Sequence, residues 1–338
     1  MNEYTVRRIL GKFALWLAVL ISFFPYAQAA PQVVWQIGTF NESSGEFNNG
    51  KPGPPFFGNQ YPMELLYIIG KSTPEADWAA HQLGSAIFQP GGHPRPYTIQ
   101  FDLDEIPHGV YTLKVTLLLE TSYVGQLQVE INGHAGLYYQ HPKLTYTGVD
   151  RNLVVRPFAA TDTLVVDLPA KYFQKGANKL VLTAVDEPSE AGSEAHAELV
   201  YDALELDHDS ARKFAVDEMT TEVVPTIFYV RHDSGLAEWV DVFVRHNATA
   251  QHGQITLTVA GQTFIEEMPA RGFGEHRAEF SVPEFAAGTN AVVTVKADGH
   301  TRRFPVVLAP ARKWNLLVVP HVHVDVGYSD YQEKVAEI

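Results

Sequence analysis

Gln126-Leu127-Gln128-Val129-Glu130-Ile131-Asn132-Gly133 writes a strand and its turn in eight residues. Leu127, Val129 and Ile131 alternate with Gln128 and Glu130, the period of a strand with one buried face. Asn132-Gly133 follows at once, and both residues tolerate the positive φ that a two-residue hairpin turn requires. The same pattern recurs outward at residues 97–101, 111–117, 164–168 and 179–183, with another turn at Lys175-Gly176-Ala177-Asn178. No convincing amphipathic helix interrupts residues 31–209, which predicts a two-sheet sandwich of jelly-roll type. Residues 39–61, rich in Gly, Asn and Pro, read as a long loop lying over it. A second set of β runs follows at 223–230, 239–245, 254–259, 278–282 and 291–297, with turns at Gly261, Gly272, Gly274 and Gly288. About seven short strands in roughly 100 residues suit an immunoglobulin- or fibronectin-like sandwich. The expected fold class is mainly β.

The first 29 residues have the form of a signal peptide. Arg7, Arg8 and Lys12 are its basic region, residues 13–24 its apolar region, and Ala27-Gln28-Ala29 its small-residue cleavage site before Ala30. The apolar run is shorter than the roughly 20 residues that span a bilayer. An exported protein is therefore expected, periplasmic, cell-surface or extracellular, with no membrane span after cleavage. Formal net charge is −14, and removing residues 1–29 takes away three positive charges and one negative, leaving −16. A phosphate backbone would be repelled, so nucleic acid is not an expected partner. The absence of cysteine excludes thiol catalysis and Cys-ligated metal, and leaves core burial to stabilise an exported chain. Asn41 and Asn247 begin glycosylation sequons, relevant only in a host that glycosylates.

The chemistry-bearing motif is Pro320-His321-Val322-His323-Val324-Asp325-Val326-Gly327-Tyr328, delivered by the apolar run Leu316-Leu317-Val318-Val319. Such runs suit strands buried on both faces of a parallel sheet. At strand period two, His321, His323 and Asp325 share a side, close enough for two of them to converge on one metal ion. Ser329 and Gln332 then form a capping box for a following helix. The order is buried strand, liganding turn, helix: the first unit of an α/β catalytic domain. A coincidental His-x-His-x-Asp at a strand end is the alternative.

This motif resembles the opening of glycoside hydrolase family 38, the zinc-dependent retaining α-mannosidases, which typically reads His-Ser-His-Asn-Asp-Pro-Gly-Trp. The resemblance covers about 25 residues. It implies that His323 and Asp325 are zinc ligands, that Tyr328 replaces an aromatic stacking on bound sugar, and that His321 is at most a support beside the ligands. This chain has Val322, Val324 and Val326 where the family often has Ser, Asn and Pro. The resemblance also implies that the nucleophile, the acid and the last zinc ligand lie beyond Ile338, so this chain alone is expected to be inactive. Residues 33–207 resemble the carbohydrate-binding-like C-terminal domain of rhamnogalacturonan lyases. The residues that carry this are Trp35-Gln36-Ile37-Gly38-Thr39-Phe40, Pro107-His108-Gly109-Val110-Tyr111, Gly176-Ala177-Asn178-Lys179-Leu180 and Tyr201-Asp202-Ala203-Leu204-Glu205-Leu206. That likeness implies a fold and an association with glycan, without lyase activity.

The expected organisation is signal peptide 1–29, carbohydrate-binding-like jelly roll 30–209, immunoglobulin- or fibronectin-like sandwich 210–309, and the start of a family 38-like domain at 310–338. The expected function is the accessory region of an exported glycoside hydrolase whose partner is an oligosaccharide or polysaccharide. The alternatives are a non-catalytic glycan-binding or adhesion module and, last, a lyase accessory domain. Trp78, Tyr138 and Tyr139 are candidates for a sugar-stacking face, whereas Trp35 and Trp239 read as core. Asp186, Glu187, Glu190 and Glu194 form an acidic loop that could take calcium, the bland reading being a solvated loop.

Overall fold

The computed structural model describes residues 31–48, 62–84, 93–119, 125–141, 143–145, 159–185, 198–216, 218–233, 235–247, 252–270 and 272–313. The expected signal peptide, the His-x-His-x-Asp motif with Tyr328, and the acidic loop at 186–194 lie outside them. The described chain is almost entirely β, with one single-turn α-helix at Pro74–Asp77 and a 3-10 turn at Ala170–Tyr172. None of its helices is long and apolar enough to cross a membrane.

Among the described residues eleven strands precede residue 210: β1 (Gln32–Gly38), β2 (Leu65–Ile68), β3 (His81–Leu83), β4 (Pro96–Leu103), β5 (Val110–Leu119), β6 (Gln126–Ile131), β7 (His134–Tyr139), β8 (Lys143–Thr145), β9 (Ala159–Pro169), β10 (Gly176–Val185) and β11 (Glu198–Asp209). One sheet runs β1-β11-β5-β9-β8, with β3 also on β11, and the facing one contains β7-β6-β10-β4-β2. From β4 to β11 the chain passes back and forth between the two sheets, the habit of a jelly roll. The β6–β7 hairpin closes on Asn132 (φ 47°) and Gly133 (φ 87°), as their sequence predicts.

Alternation decides the packing. Tyr97, Ile99 and Phe101 of β4, Leu113, Val115 and Leu117 of β5, Leu127, Val129 and Ile131 of β6, and Leu180 and Leu182 of β10 all point into one core. Each such buried side chain contributes about 1.5–3 kcal/mol. A bulge in β11 turns Asp202 inward, where it is 1% exposed. Its Oδ1 accepts the backbone N–H groups of Asn41 (3.3 Å) and Ser43 (3.0 Å), fixing the start of the glycine-rich loop to the sandwich.

Seven more strands follow among the described residues: β12 (Met219–His232), β13 (Gly235–His246), β14 (Gly253–Val259), β15 (Gln262–Met268), β16 (Phe273–Pro283), β17 (Thr289–Ala297) and β18 (His300–Leu308). The sheet β15-β14-β17-β18 faces β12-β13-β16 across a second core of Val240, Val242, Val244, Ile255, Leu257, Val293 and Val295. Trp239 is a correction. Val240, Val242 and Val244 occupy the inward positions of β13, so Trp239 falls on the opposite face and is 38% exposed.

The two cores are joined through a sheet. β16 pairs in parallel with β7, Phe273 opposite Gly136 and Gly274 opposite Leu137, making β12-β13-β16-β7-β6-β10-β4-β2 continuous. The approach needs residues without side chains. A Cβ on Gly136 would enter the Phe273 ring, and one on Gly274 (φ 123°) would meet the Leu137 backbone. Phe273 itself is buried in the first core, although its strand belongs to the second sandwich.

Candidate functional site

Directly paired residues on neighbouring strands project from the same face. On the outer face of β12-β13-β16, Thr220 lies opposite Arg245 and Arg245 opposite Glu275, while Glu222 lies opposite Phe243 and Val224 opposite Asp241. The first sandwich contributes a wall to this floor: His141, just after β7, and Asp162 and Thr163 of β9. Together they enclose a cleft of about 670 Å³ at the junction of the two cores.

Glu275 organises the cleft and is 4% exposed. Its Oε1 accepts Nε of Arg245 at 2.6 Å. Its Oε2 accepts the Tyr139 backbone N–H at 2.9 Å and lies 3.4 Å from Nε2 of His141. Nδ1 of His141 lies 3.4 Å from Oε2 of Glu222, and the His141 backbone N–H donates to Asp162 at 2.8 Å. Arg245 also donates to the Val165 carbonyl at 3.2 Å, so one guanidinium spans β16 and β9. The rings of His141 and Tyr139 meet Phe243 edge-on at 4.6 and 5.4 Å.

Burial works against the charge on Glu275, but the His141 hydrogen bond, the Arg245 charge and the Tyr139 N–H outweigh it and hold the carboxyl below its usual range. His141 moves upward, chiefly through its hydrogen bond to Glu275, with burial opposing. This pairing is structural in character. The groups left facing the cleft are the Asp162 and Glu222 carboxylates, the Thr220 hydroxyl, and the apolar Phe243 and Val224, while the Thr163 hydroxyl pairs with that of Thr116 at 3.0 Å. Such a set holds hydroxyl-rich ligands by hydrogen bonds. Among the described residues, no group of three or more His, Asp or Glu side chains is placed to hold a metal ion.

The aromatic face expected from the sequence is not formed as expected. Trp78 is 0% exposed, its ring set edge-on against Tyr67, Tyr97 and Tyr201 at 5.4–5.9 Å. Tyr138 is 4% exposed beneath the Arg245 guanidinium, 5.3 Å from its ring centroid. Large rings at inward positions add more to the core than to the surface, which removes both from solvent. Tyr139 is half-buried, at the margin of the cleft against Phe243. Trp35 is core, as its sequence predicts. His321, His323, Asp325 and Tyr328 lie outside the described residues.

Sequence reasoning missed His141, Asp162, Glu222, Phe243, Arg245 and Glu275. Arg245 and Phe243 stand at alternate positions of a recognised strand, but nothing local shows that Glu275 pairs opposite one of them. Glu275 follows Gly272 and Gly274, which read as a turn and not as the close approach they permit.

The fold and cleft define a two-core β-sandwich protein with a polar groove at its waist. The CBM-like family, polysaccharide lyase family 4 domain III, matches residues 33–206, just over half of the 338-residue chain, and the chain belongs to that family. No curated protein matches it. Among solved structures it is similar to a GH2 β-galacturonidase from Eisenbergiella tayi, at 11% identity and a TM-score of 0.23 over 63% of this chain and 34% of that one. It is also similar to a β-glucuronidase from Bacteroides uniformis, at 8% identity and a TM-score of 0.20 over 63% of this chain and 26% of that one. A β-glucuronidase from Parabacteroides merdae aligns at 10% identity and a TM-score of 0.22 over 83% of this chain and 36% of that one. The chain thus spans about a third of the length of these enzymes or less.

Proposed function

We propose that this chain is the N-terminal, carbohydrate-binding-like region of an exported, zinc-dependent retaining glycoside hydrolase of the α-mannosidase type. The observation that carries the carbohydrate part is the family match over residues 33–206. The hydrolase part is supported by the His-x-His-x-Asp motif on its apolar run, and export by the signal-peptide pattern of residues 1–29. In this reading residues 30–209 and 210–309 are two accessory units in front of a catalytic domain that begins near residue 310. His323 and Asp325 supply an imidazole nitrogen and a carboxylate oxygen, donors that suit zinc. Zinc bound there would orient sugar hydroxyls, and Tyr328 would offer a stacking surface. A non-catalytic glycan-binding module is the second reading, favoured because the matched family lies wholly within the first sandwich.

The test is to express this chain joined to whatever its gene encodes after Ile338 and assay a nitrophenyl α-mannoside with and without chelator. Chelator-sensitive turnover, reduced at least a hundredfold by His323→Ala or Asp325→Ala, is expected. An open reading frame that stops or enters an unrelated domain sinks the hydrolase reading and leaves the binding module.

A further inference from the structure

We propose that the cleft at the junction of the two cores is a binding site for an uncharged saccharide. The inference rests on the carbohydrate reading above and gives it a location in neither sandwich alone.

Size is the first argument. A cleft of about 670 Å³ falls within the range of small-molecule sites, roughly 300–1,000 Å³. The second argument is the pattern of groups. A sugar ring presents hydroxyls that each donate and accept, together with an apolar C–H face. The Glu222 and Asp162 carboxylates accept charge-assisted hydrogen bonds from such hydroxyls, and the Thr220 hydroxyl donates or accepts as needed. Phe243 and Val224 are the apolar residues of the floor.

The third argument is rigidity. Glu275 joins β16 to Arg245 of β13 and to the Tyr139 N–H of β7, and Arg245 reaches the Val165 carbonyl of β9. Floor and wall come from different sandwiches but are tied together by the contacts of a partly buried ion pair. A ligand there meets a site whose ordering cost is already met by folding.

Charge selects among saccharides. The Arg245 guanidinium is taken up by Glu275 and the Val165 carbonyl, and His141 lies between Glu222 and Glu275. Glu222 (59% exposed) and Asp162 remain toward solvent, in a chain of net charge −14. A uronic-acid polymer would meet like charge at the site and around it, whereas neutral sugars would not.

The experiment is calorimetric titration of the full chain with neutral gluco-, manno- and galacto-trisaccharides, and with tri-galacturonate as the acidic comparison. At least one neutral trisaccharide is expected to bind, and tri-galacturonate is not. Thr220→Trp, which fills the cleft from an exposed position, and Glu222→Ala should each weaken binding at least tenfold without lowering Tm. Ile106→Ala, exposed and outside the cleft, should leave it unchanged. Neutral-sugar binding that survives both cleft variants overturns this inference while leaving the carbohydrate reading intact. Preference for tri-galacturonate overturns the charge assignment. Failure of every saccharide to bind overturns the cleft and the carbohydrate reading of the sandwiches together.

Discussion

Glu275 shows how one buried carboxylate is kept charged. Desolvation alone would favour its neutral form, and three donors, Tyr139 and His141 from the end of β7 and Arg245 from β13, reverse that outcome. The pH consequence has two limbs. The Glu275 carboxyl titrates lower in the folded state, so its contribution is present above the ordinary glutamate range, about pH 4.3, and is lost as pH falls through its folded value. His141 titrates higher when folded, so its contribution is complete below the ordinary histidine value, about 6.5, and is lost as pH rises through its folded value. Stability of the junction should therefore peak between about pH 5 and 6.5, read from urea denaturation at a series of pH values. His141→Gln should flatten the alkaline limb and also shrink the acid one, because the His141 hydrogen bond is the first of the contacts that hold the Glu275 carboxyl low. Glu275→Ala, which takes the carboxylate from Arg245 but leaves that guanidinium 32% exposed, should cost about 1–3 kcal/mol.

At the scale of elements, strands were legible where a buried face alternates with a wet one. Runs at 97–101, 111–117, 164–168, 179–183 and 239–245 lie inside β4, β5, β9, β10 and β13, and the run at 126–131 coincides with β6. β15 and β18 were not legible. They are the two edges of their sheet, and they carry Glu266, Glu267, Arg302, Arg303 and an in-strand Pro305. Charge and proline at an edge discourage pairing with other chains but erase the alternation that a reader looks for. The β7–β16 pairing was illegible for another reason: its two partners are more than a hundred residues apart. Gly274→Ala should weaken that pairing specifically, since its backbone conformation and the Leu137 backbone both reject a side chain. We expect far-UV circular dichroism to stay β-like while thermal unfolding separates into two transitions. A single unshifted transition would count against a glycine-dependent junction.

At the scale of the molecule, the two cores are coupled by a shared sheet, a shared side chain and a shared ion pair. Phe273 lies in the first core beside Tyr138 and Tyr172, with ring centroids 6.3 and 5.7 Å away. The first sandwich is therefore incomplete without the start of β16. Phe273→Ala should destabilise it by about 3–5 kcal/mol. A fragment ending at residue 209 should melt lower than residues 30–313, with stronger binding of a hydrophobic dye. Equal melting temperatures would show that the first core closes on its own.

The sequence by itself determined the β class, most strand positions and the Asn132-Gly133 turn. These depend on a side-chain period of two and on local φ preferences, which any short window contains. It also placed the His-x-His-x-Asp motif and the signal-peptide pattern, which are linear by nature. Only the tertiary structure decided which aromatics are available: Trp78 and Tyr138 went to the core because burying large rings outweighs exposing them. It alone decided the cleft, which brings His141, Asp162 and Thr163 together with residues from Thr220 to Glu275 of distant strands. Register sets which side chains meet across strands, and register between distant strands follows from the packing of whole sheets, not from any single stretch of chain.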